Sequence, residues 1–292
     1  MIKTAVIGAS GYIGRHLLQS YRTTHPGCVG TALSRMSPSL TFFDLREPDI
    51  SRLALEESGH EAVLIASAMS LVDQCEKQKA ATYAVNVTGT LELVRQLGRT
   101  SLQVIFLSSD YVFPGNNGPH DDGTETDPST EYGRHKALVE KAIPALAANH
   151  LIVRLSKIFG LQKGDGTLLD EMAEDLSAGR DVFAAADQRF CPTFVGDLVS
   201  AIHAIQERGL HGLMNLSSPE AWTRHDMAEA LAGAMGVDAG LVKRNCLHEL
   251  PAMARRPLDT SMVCSRLRKE TAVTFTPFRE CITQVAARWS GS

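Results

Sequence analysis

The sequence lacks several features that would each indicate a particular class of protein. Its six cysteines are scattered and form no C-x-x-C pair, a pattern typical of reduced, mostly buried thiols rather than of disulfides. Its ten histidines form no H-E-x-x-H or H-x-x-x-H cluster, so no metal site is predicted. Uninterrupted apolar runs such as residues 62–66 are far too short to cross a bilayer, and the N-terminal run breaks at once into glycines, unlike a signal peptide. We therefore expect a soluble, cytoplasmic protein with no membrane partner.

Neither sign of charge dominates the chain. Lys and Arg total 29 against 33 Asp and Glu, which gives a net charge of -4. A weakly acidic protein has no overall field that would hold a polyanion, so no nucleic-acid partner is expected, although local basic spots for a small phosphate ligand stay open. With 292 residues, 44% of them hydrophobic, the chain can bury a sizeable core without metal or disulfide support.

Short apolar runs alternate with helix-like segments along the first 160 residues. Continuous hydrophobicity in such runs is typical of strands covered on both faces, and the alternation predicts a mostly parallel sheet. The predicted fold is therefore α/β, a Rossmann-type doubly wound parallel sheet with a smaller mixed α/β substrate-binding lobe. The predicted strands cover residues 4–7, 29–33, 62–66, 104–107 and 151–153, and the predicted helices 12–21, 73–98 and 132–148.

The alternation of strand-like and helix-like segments becomes less regular after residue 160. Helix-like segments at 167–178, 197–207 and 224–235 alternate with short strand-like runs near 182–183 and 213–216. We predict an NAD(P)-binding Rossmann domain at 1–160 and a substrate-binding lobe at 161–292, interleaved with the end of the sheet.

A glycine-rich turn follows the first predicted strand. Gly8, Gly11 and Gly14 fit G-x-x-G-x-x-G at the start of a helix, where glycine permits a tight turn and a close backbone approach to a pyrophosphate. The N–H groups at the helix start then favour the phosphates. The pattern predicts a dinucleotide site to which Ser10, Tyr12 and Ile13 also contribute.

The end of the second predicted strand bears on the choice of dinucleotide. It carries Ser34 and Arg35 rather than the acidic residue that usually binds the ribose diol of NAD, and a guanidinium suits a 2′-phosphate. NADPH is therefore favoured, with NADH as an alternative. Further predicted cofactor contacts are Asp44, Leu45, Ala66 and Ser67.

A second motif lies at the start of the predicted helix 132–148. Tyr132 and Lys136 form Y-x-x-x-K, which places both side chains on one helix face, and a lysine cation would lower the pKa of the phenol. Ser109 ends a buried strand some twenty residues earlier. Because ligands of parallel α/β sheets bind at the carboxyl ends of strands, we expect Ser109 to face the same crevice.

These motifs together resemble the extended short-chain dehydrogenase/reductase superfamily and, within it, the dTDP-4-dehydrorhamnose reductase group. Residues 108–115, S-S-D-Y-V-F-P-G, are similar to that group's S-T-D-Y-V-F-x-G, with Ser109 at the catalytic Thr/Ser position. Further matching segments are 72–76, 86–90, 188–193, 196–198 and 256–257, so the resemblance runs from residue 4 to about 262.

The resemblance implies an NADPH-dependent reduction of the C4 ketone of a nucleotide-linked 4-keto-6-deoxyhexose. Tyr132 would protonate the forming alkoxide, Ser109 would hydrogen-bond the same oxygen, and Lys136 would bind the nicotinamide ribose. Substrate contacts are implied for Asp110 and, around the diphosphate, for Gln188, Arg189 and Arg256. Lys157 stands where the group commonly has a tryptophan, so we expect altered packing of the sugar.

Related functions stay open to different degrees. Sugar 4,6-dehydratases carry Asp-Glu after the Ser/Thr, whereas Asp110 is followed by Tyr111 here. A sugar-nucleotide 4-epimerase could use the same catalytic residues. An NAD(P)-binding regulatory subunit resembling that of methionine adenosyltransferase is the alternative from another class. A homodimer is compatible with the sequence.

Overall fold

The computed structural model describes residues 1–247 and 255–289. The first part of the chain alternates strands and helices, as predicted. In chain order its elements are β1 (Thr4–Ile7), α1 (Tyr12–Thr24), β2 (Thr31–Ala32), β3 (Thr41–Phe42), β4 (Ala62–Ile65), α2 (Val72–Lys77), α3 (Lys79–Tyr83), α4 (Thr90–Leu97), β5 (Gln103–Ser109), α5 (Glu131–Leu146) and β6 (His150–Leu155).

The remaining described elements are shorter on average. They are β7 (Ile158–Phe159), α6 (Leu168–Ser177), β8 (Val182–Ala185), β9 (Arg189–Phe190), β10 (Thr193–Phe194), α7 (Val195–Glu207), β11 (Gly212–Leu216), β12 (Trp222–Thr223), α8 (Arg224–Met235), β13 (Val242–Asn245), α9 (Ser265–Glu270) and α10 (Phe278–Trp289).

A parallel sheet in the order β1-β4-β5-β6-β11 forms the centre of the molecule. The parallel pair β2-β3 continues it beyond β1, since the N–H of Val6 donates to the carbonyl of Val29 and that of Ala9 to the carbonyl of Thr31. The sheet is therefore of the Rossmann type, and the prediction of an α/β parallel fold is confirmed. The strands β1, β4 and β5 are buried on both faces, because helices cover each side, whereas β3 at the edge is exposed.

Two apolar clusters hold these helices to the sheet. Leu17 and Tyr21 of α1 and Ile202 of α7 pack on one face. Leu93 of α4 and Ile143 of α5 pack on the other. The strand β11 and the helix α7 thus belong to the central layers although they follow residue 160. A third cluster joins α6, α8 and α10 beside the parallel pair β8-β13, away from the sheet.

The prediction of one continuous helix over 73–98 is wrong. The structure divides it into α2, α3, a π-helical turn at Ala84–Gly89 and α4. The side chain of Asn86 in the π turn exchanges two hydrogen bonds with the backbone of Met69, at 2.8 and 2.9 Å. A Cβ on Gly89 would overlap the carbonyl oxygen of Leu45, so the segment packs too closely for an ordinary side chain there. The π turn and the close packing at Gly89 both depend on tertiary contacts, which the spacing of apolar residues along a helix does not reveal.

All six cysteines are free, and five of them are buried, as predicted. Among the described residues, no helix combines the length and the apolar character needed to cross a membrane.

Candidate active site

The glycine turn lies between β1 and α1 at the carboxyl edge of the sheet. Gly8 has a φ of +89°, and a Cβ there would approach the backbone of Ser67 to 2.7 Å. A Cβ on Gly14 would overlap the carbonyl oxygen of Gly8, so the helix packs directly on the turn. Gly11 caps α1 without a side-chain hydrogen bond, and the first turn of α1 has no acidic residue. The turn thus leaves a side-chain-free cradle at a helix N-terminus, which fits a dinucleotide pyrophosphate.

The other predicted cofactor residues follow the strands β1 to β4. Ser34 and Arg35 lie in an exposed segment after β2. That segment is anchored at its far end, where the guanidinium of Arg22 donates to the carbonyl of Ser39 at 2.9 Å. The carboxylate of Asp44 is held by Arg46, whose hydrogen bonds keep the pKa of that carboxyl below its usual range. Ala66 and Ser67 follow β4 beside Gly8, and Leu45 is buried next to the π turn; Ser10, Tyr12 and Ile13 belong to the glycine turn and the first turn of α1.

Helix α1 also contacts the loop that leads into α6. The phenol of Tyr12 donates to Asp165 at 3.3 Å, and Arg15 forms an ion pair with the same carboxylate at 3.3 Å. Asp165 also accepts the N–H of Gln162 within its own loop. The helix that borders the cofactor cradle is therefore tied to the loop leading into α6.

Ser109 and Tyr132 meet because α5 packs on the turn that follows β5. A Cβ on Gly133 would overlap the carbonyl oxygen of Tyr111, so only glycine permits this approach. Thr130 caps α5 by accepting the N–H of Gly133 at 3.1 Å, which fixes where the helix begins. The rings of Tyr111 and Tyr132 then lie edge to face, 6.1 Å apart.

Lys136 lies one helical turn beyond Tyr132, as the Y-x-x-x-K spacing requires. Its Nζ donates to the carbonyl of Leu107 at 2.7 Å and lies 4.5 Å from the centre of the Phe106 ring and 5.9 Å from that of Tyr132. Burial lowers the pKa of Lys136 to about 8. The structure therefore brings Ser109, Tyr132 and Lys136 to the carboxyl edge of β5.

The expectation that Lys136 lowers the pKa of Tyr132 is wrong for this geometry. Burial raises the pKa of Tyr132 above its usual range, Asp110 raises it further, and the interaction with Ser109 opposes them only in part. The ammonium of Lys136 points to a backbone carbonyl and is itself desolvated, so desolvation dominates at the phenol. Tyr132 is accordingly protonated at neutral pH.

Asp110 lies behind Ser109 and is only 4% exposed. Its Oδ2 accepts hydrogen bonds from Ser156 at 3.0 Å and Thr260 at 2.9 Å, and its Oδ1 accepts one from Ser109 at 3.2 Å. Burial raises the pKa of Asp110 to about 6, while these hydroxyl groups oppose the shift. The contacts link the end of β5 to β6 and to the segment before α9.

Several of the predicted substrate residues are cationic or contact a cation. Lys157 follows β6 and opens to the crevice, and its pKa is lowered by burial and by Arg224. Arg256 forms an ion pair with Asp73 at 3.0 Å. Gln188 is buried and bridges Arg224 to the backbone, donating to the carbonyl of Pro257 at 3.2 Å.

Arg189 differs from the other predicted substrate residues. Its backbone pairs with the segment around Asp259, but its side chain is exposed, and no described contact joins it to Lys157, Gln188 or Arg256.

Sequence reasoning missed Arg224, Ser156 and Thr260. Arg224 is the first residue of α8, where nothing in the local pattern separates it from a solvated helix residue. Ser156 follows β6 directly, so its position at the carboxyl edge of the sheet was the one available signal. Thr260 reaches the site through long-range packing alone.

A further polar group lies apart from the crevice on α8. The ligand atoms of His225, Asp226 and Glu229 lie within 4.8 Å of one another, and Asp226 and Glu229 are exposed. His225 and Glu229 are 3.6 Å apart, one helical turn from each other. The spacing H-D-x-x-E was not among the metal patterns expected from the sequence.

The parallel sheet, the glycine cradle and the serine, tyrosine and lysine at one strand edge define an NAD(P)-dependent oxidoreductase of the extended short-chain dehydrogenase/reductase class. Within that class, the chain belongs to the family described as RmlD substrate binding domain, whose model matches residues 2–290.

Known relatives of the chain agree with this family. The dTDP-4-dehydrorhamnose reductase of Mycobacterium tuberculosis is 28% identical over 87% of this chain and 82% of its own length. The methionine adenosyltransferase 2 subunit beta of Danio rerio is 25% identical over 96% of this chain and 88% of its own. A crystal structure of a hypothetical dTDP-4-dehydrorhamnose reductase from Sulfolobus tokodaii superposes with a TM-score of 0.84 at 26% identity, covering 96% of this chain and 99% of the other.

Proposed function

We propose that this protein is an NADPH-dependent reductase that converts the C4 ketone of a nucleotide-linked 4-keto-6-deoxyhexose to an alcohol. The observation that carries the proposal is the convergence of Ser109, Tyr132 and Lys136 at the carboxyl end of β5, beside the glycine cradle. The similarity to a dTDP-4-dehydrorhamnose reductase supports the nucleotide sugar as substrate.

The residues of the cradle fit the cofactor that this reaction needs. Gly8, Gly11 and Gly14 would hold its pyrophosphate, and Arg35 would pair with the 2′-phosphate of NADPH. When bound, NADPH supplies the hydride. Lys136 has two ammonium protons beyond the one given to Leu107, and these would hydrogen-bond the nicotinamide ribose.

Tyr132 serves as the general acid. Its phenol carries a proton at neutral pH with or without the rise in pKa that burial causes, and an alkoxide is basic enough to take that proton in the direction of reduction. Ser109 would turn its single hydroxyl proton, which it gives to Asp110 in this structure, toward the same oxygen. Both donors act on charge that develops mainly in the transition state, which is the condition for acceleration.

The test is turnover of a panel of nucleotide-linked 4-keto sugars with NADPH, followed at the absorbance of the reduced cofactor. Wild-type protein should oxidise NADPH with at least one sugar, and Tyr132→Phe should lose most of that rate while retaining NADPH affinity. Absence of oxidation with every sugar would contradict the proposal, as would an unchanged rate in Tyr132→Phe.

The regulatory alternative is supported by the similarity to methionine adenosyltransferase 2 subunit beta. It predicts cofactor binding without turnover, so the same panel separates the two functions. A 4-epimerase would instead interconvert two sugars with no net oxidation of NADPH.

A further inference from the structure

Arg224 and Lys157 are two cations in the substrate crevice. Among the described residues, no carboxylate lies at ion-pairing distance from Arg224 or Lys157. Glu171 on α6 acts on both cations from farther away and Asp110 acts on Lys157, in neither case as an ion pair. Partly desolvated charges of one sign are costly unless a ligand neutralises them, so the pair marks a place where an anion binds.

Arg224 is oriented by a neutral group. Its Nε donates to the Oε1 of Gln188 at 2.9 Å, and Gln188 is itself fixed by the carbonyl of Pro257. The guanidinium also lies 5.9 Å from the centre of the Phe190 ring. A neutral acceptor holds the side chain in place without cancelling its charge, and it leaves the two terminal nitrogens available for a bidentate contact.

Lys157 lies on the same side of the crevice, close to the catalytic residues. Ser109 pairs with Leu155 in the sheet, and Ser156, the residue before Lys157, donates to Asp110. The charge of Arg224 contributes to the lowered pKa of Lys157, so the two cations lie in the same part of the crevice. The two cations therefore face the space next to Ser109.

Arg256, which the family resemblance assigns to the diphosphate, is placed differently. Its guanidinium is already paired with the carboxylate of Asp73 on α2. This partly exposed ion pair offsets part of its charge, and Arg256 still lowers the pKa values of Lys157 and Arg224.

We propose that Arg224 and Lys157 are the residues that bind the diphosphate of the nucleotide sugar, with Arg256 secondary. This inference rests on the proposed function for the identity of the ligand. A diphosphate between two esters carries about two negative charges, which matches the two positive charges of Arg224 and Lys157, and Arg224 can take two phosphate oxygens in its fork.

The experiment is calorimetric titration with dTDP, UDP and, for comparison, dTMP, which requires no catalysis. Arg224→Met should weaken nucleoside-diphosphate affinity about 30-fold or more, since removing one partner of a desolvated charge contact costs about 2 kcal/mol or more. Lys157→Met should weaken it about 10-fold. Both substitutions should affect dTMP less. Arg224→Lys, which keeps the charge but not the fork, should recover part of the affinity.

Arg208→Met is the matched control for the loss of one positive charge, because Arg208 is exposed at the end of α7 and should leave affinity within about two-fold. The proposal is overturned if wild-type protein binds neither dTDP nor UDP. It is also overturned if both crevice variants bind as wild type does, or if Arg256→Met alone causes the loss. Because binding is measured directly, a protein that binds dTDP through Arg224 yet reduces no ketone would contradict the proposed function and leave this assignment intact.

Discussion

Replacing Asp110 by asparagine tests the electrostatics behind the catalytic serine. The pKa of this carboxyl is raised from 3.8 to about 6 by burial, so the folded protein binds its proton more tightly than the unfolded chain does. The contribution of the protonated group to stability is therefore complete below about pH 4 and is lost as the pH rises through about 6. At 1.36 kcal/mol per pKa unit, the carboxylate penalises folding by roughly 3 kcal/mol above that range.

Asp110→Asn carries no charge at any pH and removes this penalty. The weaker hydrogen bonds of the amide to Ser109, Ser156 and Thr260 change stability by an amount that does not depend on pH. We therefore expect the free energy of unfolding of the variant, minus that of the wild type, to increase by roughly 2.5 kcal/mol between about pH 4 and pH 8, slightly less than the full effect because the carboxyl of the unfolded chain is already partly ionised at pH 4.

Urea denaturation at several pH values measures this difference for both proteins. Asp49→Asn is the control, and its stability difference from the wild type should change with pH in the opposite direction. The reason is that a hydrogen bond from Ser51 lowers the pKa of the exposed Asp49 carboxyl. A difference between Asp110→Asn and wild type that stays constant across the pH range would refute the reasoning.

Three further substitutions test other parts of the account. Arg35→Asp should shift the ratio of the KM values for NADPH and NADH toward NADH by tenfold or more, about 1.4 kcal/mol, and an unchanged ratio would remove Arg35 from the 2′-phosphate site. Gly14→Ala should lower the melting temperature and abolish NADPH binding, because its Cβ would overlap Gly8, whereas Gly233→Ala in an open part of α8 should be neutral or stabilising by up to about 1 kcal/mol. Arg154→Met should destabilise the fold by about 3–5 kcal/mol in chemical denaturation, because it leaves Glu140 buried without its 2.8 Å partner; a loss under 1 kcal/mol would contradict this.

The features that the sequence predicted are those encoded locally. Short-range backbone geometry determines the glycines of the turn and the four-residue spacing of Tyr132 and Lys136. Continuous apolar runs indicate strands that are covered on both faces of a sheet. Gly133 is visible in the motif, but the need for glycine there comes from tertiary packing, because a Cβ at this position would overlap the backbone of Tyr111.

The features that the sequence could not predict depend on burial and long-range contact. The raised pKa of Tyr132 follows from desolvation, which a motif does not contain. Arg224 is held in the crevice by a hydrogen bond to Gln188, which lies 36 residues earlier in the chain. The break in the helix at 73–98 follows from the packing of Asn86 on Met69.

The central claim is that hydride is delivered to C4 of a nucleotide-linked sugar while Tyr132 supplies the proton. It is tested most directly by incubating the protein with each of the two C4-deuterated forms of NADPH and a dTDP-linked 4-keto-6-deoxyhexose, and locating the label by NMR. The account predicts deuterium at C4 of the sugar from one labelled form only, and none with Tyr132→Phe on the same timescale. Label at another carbon, or no transfer by wild-type protein that binds both ligands, would contradict it.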